Sequence, residues 1–144
     1  MKSATWFRIA IVVMLLMAAG HTFGFLTFRP ATAEGQEVWE AMNSVHFAAK
    51  HGTYSYGEFY VGFGLFVSAS YVFEAWLMWF LGRMAWRGVA EARAIAWALC
   101  GLQVVGVGLS LRYFAAAPAM LSLLAAVCLG MGAVRVGRTA AVTT

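Results

Sequence analysis

Residues 59–81 read FYVGFGLFVSASYVFEAWLMWFL, an apolar run broken in polarity only by Ser68, Ser70 and Glu74. As a helix rising about 1.5 Å per residue, a run of this length crosses the roughly 30 Å hydrocarbon core of a bilayer. An exposed strand is excluded, because unpaired backbone groups at an open edge are not tolerated in hydrocarbon. Three further runs have the same character. The first, 9–28, has Lys2 and Arg8 before it and Arg29-Pro30 after it. Another, 94–111, is ended by Arg112. The last, 118–136, starts at Pro118, which suits a first helical turn, and exits at Arg135. The expected fold is therefore all-α: an integral membrane four-helix bundle in one domain, with spans at about 9–28, 59–81, 94–111 and 118–136.

Composition agrees. The 144 residues are 62% hydrophobic and 11% charged, whereas a water-soluble domain carries roughly a quarter charged residues. A chain this small leaves much of its surface exposed, so burial does not account for the missing charge. Lipid must solvate most of the outside. The net charge of +4 follows from basic residues collecting in cytoplasmic loops. No basic run with interleaved aromatics is present, so nucleic acid is not an expected partner. Cys100 and Cys128 lie inside apolar runs and read as small hydrophobes, not as a disulfide or redox pair.

Loop charges orient the spans. With both termini cytoplasmic, Lys2, Arg8, Arg83, Arg87, Arg93, Arg135 and Arg138 lie inside, and only Arg29, Lys50 and Arg112 outside. Seven against three satisfies the positive-inside rule for a multi-pass protein of the cell inner membrane. The first run has some marks of a signal peptide, with passable cleavage sites at Ala18-Ala19-Gly20 and Ala31-Thr32-Ala33. Its hydrophobicity continues through Phe23, Phe25, Leu26 and Phe28, longer than a usual signal core, so an uncleaved anchor is expected.

The one sizeable polar segment, 29–57, separates the first two spans. Val38, Met42, Val45 and Ala49 recur there at four, three and four residues, one face of a helix. Glu34, Glu37 and Glu40 near its start and Lys50 near its end suit the helix dipole, and Trp39 and Phe47 suit the headgroup region. An amphipathic helix over 34–51, lying on the outer face of the bundle, is expected.

Candidate site residues fall in two places. His21 lies in the outer half of the first span, about 10 Å from its end. Glu58 and Tyr60 open the second span on the same side, and His46 and His51 come from the intervening segment. Such a His/Glu group can hold a metal or relay protons. However, His46 and His51 are five apart, off the i,i+4 register of a helical metal pair. Hydrogen bonding at the bundle mouth is the expectation, and no metal is assigned. No cofactor is assigned either; a haem would need a second ligand level with His21. Glu74 is the isolated intramembrane acid. An unpaired carboxylate there is costly, so it is either hydrogen-bonded across helices, with Gln103 at comparable depth, or a proton- or substrate-binding group. Gly20 with Gly24, Gly64 with Ser68, Gly101 with Gly108, and Ala126 with Gly130 offer small surfaces for close helix packing or homo-oligomer contacts.

Gly20-His21-Thr22-x-Gly24 and the block from Glu58 through Phe59, Tyr60, Gly62, Phe63 and Gly64 to Leu65 resemble the signature of a family of small bacterial four-span inner-membrane proteins. The resemblance covers roughly the first half of the chain. It implies the architecture and, since no activity is assigned to that family, no catalytic residues. The expected function is that of a non-enzymatic or accessory membrane protein binding a lipid or small apolar ligand at its outer face. The alternative is a small enzyme acting on a lipid or isoprenoid through His21, Glu58 or Glu74.

Overall fold

The computed structural model describes the backbone of residues 3–142 and the side chains through 136. Lys2 and the Arg138 side chain, both counted above toward the cytoplasmic side, lie outside the described residues. The elements run α1 (Ser3–Thr27), α2 (Ala33–Ser44), β1 (His46–Ala49), β2 (Gly52–Ser55), α3 (Tyr56–Trp86), α4 (Glu91–Tyr113) and α5 (Ala116–Val142). Among the described residues the protein is all-α apart from one two-stranded hairpin.

Helices α1, α3, α4 and the 116–136 part of α5 are each long and apolar enough to cross a membrane. Their outward surfaces carry the same message. Only 11% of the most apolar window of α3 is buried, and Phe66, Phe73, Trp76 and Phe80 on it are exposed. In water such a surface would aggregate; in lipid it is ordinary. Each helix overruns the sequence-expected span at one or both ends, because helices continue past the hydrocarbon into polar turns that hydropathy alone does not score.

Two compact units make up the chain: residues 1–17 with 71–144, and residues 18–70. In the first, parts of all four long helices share one core. Phe7, Ala10 and Met14 come from α1, and Ala75, Met78 and Leu81 from α3. Ala92, Ala96 and Leu99 come from α4, and Ala125, Cys128, Leu129 and Ala133 from α5. Spacings of three and four place each set on one helical face. The alanines let backbones approach closely, which matters where lipid supplies no hydrophobic drive between helices. Helix α3 stops in a Schellman turn: Gly88 N–H donates to the Ala85 carbonyl and Val89 N–H to that of Met84. Gly88 takes φ +75°, a left-handed conformation that costs a side-chain-bearing residue energy.

Two expectations need correction. The helix expected over 34–51 ends at Ser44, and His46, Lys50 and His51 belong to the hairpin. Asn43 turns its side-chain amide onto the Trp39 carbonyl, 2.7 Å, and Val45 adopts extended backbone. Beyond it the alternating Phe47, Thr53, Tyr54 and Tyr56 favour a ladder, with Phe47 opposite Tyr54 and Ala48 opposite Thr53. The apolar period that predicted a longer helix simply ran one turn past its end. Close packing of the glycine pairs is the second correction. A Cβ built at Gly20, Gly24, Gly101 or Gly108 would meet nothing within 4 Å. Spacing places small residues on one face; it does not turn that face inward. Of the expected small surfaces, Gly64 lies against the Phe25 ring and Gly130 against Trp97 and Cys100.

Candidate functional site

The unit of residues 18–70 brings together the end of α1, helix α2, the hairpin and the start of α3. Its local structure is set by two N-terminal caps. At α2, Thr32 Oγ1 accepts from the Gly35 N–H at 3.1 Å. At α3, Ser55 and Glu58 form a reciprocal capping box. Glu58 N–H donates to Ser55 Oγ at 3.0 Å, and Ser55 N–H donates to Glu58 Oε2 at 2.7 Å. The Ser-x-x-Glu spacing of 55–58 carried this signal, hidden because Ser55 read as part of a loop. Glu58 thus has a structural task, closing the first turn of α3 directly behind the hairpin.

A polar knot joins α1 to α3. His21 Nδ1 and Ser68 Oγ are 3.1 Å apart, and Thr22 Oγ1 lies 2.7 Å from the same Ser68 oxygen. Ser68 Oγ also lies 3.1 Å from the Gly64 carbonyl and Thr22 Oγ1 2.8 Å from that of Ala18, so each hydroxyl has both a side-chain neighbour on the other helix and a carbonyl one turn back on its own. Ser68 is buried, and the hydroxyl serves as interhelical glue of the kind apolar surroundings favour.

Aromatic contacts extend outward from this knot. His21 meets Phe25 at 5.2 Å between centroids, and Phe25 meets Tyr60 edge-on at 6.3 Å. Tyr60 meets Trp39 at 5.9 Å and 83°, and Trp39 meets Phe28 at 6.0 Å and 65°. Edge-to-face pairs of this type hold rings in fixed orientation. The Arg29 guanidinium lies over Trp39, 5.8 Å from the ring centroid. Between these rings and one face of α2 runs an open apolar groove of about 420 Å³. It is lined by Phe28, Pro30, Glu34, Gly35, Val38, Trp39, Met42 and Tyr60. Gly35 is needed there: a Cβ would stand 2.8 Å from the Pro30 ring.

Of the residues selected from sequence, Tyr60 lines the groove, and His21 reaches its aromatic chain through Phe25. His46 lies exposed on β1 with Nδ1 2.7 Å from the Ser44 carbonyl, and His51 is exposed in the hairpin turn. Among the described residues no three His, Cys or Glu side chains converge as a metal would require. Phe28, Pro30 and Val38 were not selected as ligand contacts. The spacing of Val38 and Met42 marked a face, but only tertiary structure sets Phe28 and Tyr60 opposite it.

Glu74 belongs to the other unit. Gln103 Nε2 donates to Glu74 Oε2 at 2.6 Å, linking α3 to α4, and Gln103 is only 3% exposed. The partner named from sequence depth is the partner found.

No family model, curated protein or solved structure matches the chain.

Proposed function

We propose that this is a four-span bundle of the bacterial inner membrane, both termini cytoplasmic, that binds a lipid or small apolar ligand without transforming it. One observation carries the reading: the groove bounded by Phe28, Val38, Trp39, Met42 and Tyr60. Its volume falls within the range of small-molecule sites, and its walls are apolar with few polar groups, as such sites require. It also stands where the apolar run of α1 gives way to Arg29-Pro30, so it opens at the level of lipid headgroups and upper acyl chains. Homo-oligomer contacts, in this reading, use the outward glycine faces of α1 and α4.

Photo-crosslinking tests it. The protein is reconstituted in vesicles containing a phosphatidylcholine with a diazirine high on one acyl chain, and adducts are mapped by mass spectrometry. Adducts should concentrate in 33–44 and at Tyr60 and fall several-fold in Val38→Asp. Adducts spread evenly over the outward faces of the spans, unchanged by that substitution, would overturn the reading.

The enzymatic alternative draws on one contact, the imidazole of His21 beside the Ser68 hydroxyl. Ser68 is buried and its hydroxyl is also engaged by Thr22 and the Gly64 carbonyl, which favours the packing role. Labelling of Ser68 by a fluorophosphonate, lost in His21→Ala, would reverse that preference.

A further inference from the structure

We propose that the groove selects a zwitterionic phospholipid, with Glu34 and the aromatic rings taking the ammonium and Arg29 the phosphate. This inference rests on the lipid-binding reading and specifies its ligand. Three features carry it.

First, the groove has charge of both signs beside apolar walls. Glu34 is part of its lining, and no hydrogen bond or ion pair engages that carboxylate among the described residues. Arg29 does not line the groove but is held against two residues that do. Its guanidinium lies over Trp39, and its Nη1 donates to the Phe28 carbonyl at 2.7 Å. A planar guanidinium so placed matches a phosphate diester.

Second, the rings suit a cation. Phe28, Trp39 and Tyr60 meet edge-to-face at 65° and 83°, so their π-faces point in different directions around the groove. Aromatic surfaces arranged this way, with a carboxylate beside them, attract ammonium groups. Trp39 already draws one cation, Arg29.

Third, the surrounding charge discriminates against anionic lipid. The whole chain carries +4, yet residues 18–70 hold two basic side chains, Arg29 and Lys50, against Glu34, Glu37, Glu40 and Glu58, a net −2. A headgroup with net negative charge meets repulsion from α2; a neutral zwitterion does not. The acyl chain then follows the apolar wall of Val38 and Met42.

The test uses delipidated full-length protein in a neutral detergent. Phosphatidylcholine, phosphatidylethanolamine or phosphatidylglycerol is added back, and the thermal midpoint is followed at each concentration. The two ammonium lipids should bind roughly fivefold to tenfold more tightly than phosphatidylglycerol. Glu34→Gln should erase the preference and Glu34→Lys invert it, while Arg29→Gln weakens all three. A preference that survives both Glu34 substitutions, or its absence in the unaltered protein, overturns the headgroup assignment. Trp39→Ala separates the two levels. If the three lipids stabilise equally and Trp39→Ala abolishes the effect, only the selectivity fails. If Trp39→Ala changes nothing, or no lipid stabilises the protein, the groove reading fails with it.

Discussion

At the scale of single residues, the two prominent carboxylates have different tasks from the one chemistry first offers them. Glu58 closes a capping box with Ser55. Ser55→Ala should lower the free energy of unfolding in mixed micelles by about 1 kcal/mol. Glu58→Gln, which keeps an acceptor at the third helical position, should lower it less. The reverse ranking would show that the Glu58 charge acts elsewhere. Glu74 accepts from Gln103 across α3 and α4. Gln103→Leu strands a carboxyl group in apolar surroundings and should cost about 1–3 kcal/mol. Removing both polar groups, as in Glu74→Leu with Gln103→Leu, should recover most of that loss. A double variant no more stable than Gln103→Leu would point to a Glu74 partner beyond Gln103. The pairing was legible because two polar residues at similar depth in neighbouring spans have few alternatives. The capping box was less so: its spacing was in the sequence, but the helix start it marks lay upstream of the apolar run.

At the scale of elements, the four long helices could be read directly, since lipid imposes length and hydropathy on them. The connecting segment could not, because water imposes neither. Val38, Met42, Val45 and Ala49 keep helical spacing beyond Ser44, while the ladder that replaces the helix depends on Phe47 and Tyr54 finding each other across a turn. Helix and hairpin make distinct predictions here. Ala48 and Thr53 are directly opposed in the ladder, where paired Cβ atoms stand about 4.5–5.5 Å apart. Ala48→Cys with Thr53→Cys should therefore close a disulfide within that short peptide on mild oxidation. A helix continuing through residue 51 would hold the two thiols apart and leave them free to alkylate.

At the scale of the whole molecule, four helices are long and apolar enough to cross a membrane, and the proposed arrangement has both termini on the cytoplasmic side. A membrane-impermeant maleimide should then label a cysteine placed at Lys50 in the hairpin turn from outside, and one placed at Arg87 only after the membrane is opened. Labelling in the opposite order would invert the topology and place the groove on the cytoplasmic face. The groove was the part of the site hidden from the sequence. Its residues come from two helices, α2 and α3, and the turn that precedes α2, and each alone resembles ordinary interfacial apolar surface. The most direct test of its purpose is native mass spectrometry of the protein released from micelles under graded activation. The account predicts one phospholipid per chain held after the annular lipids are stripped, and lost in Trp39→Ala at unchanged helix content; identical lipid retention in the two proteins would contradict it.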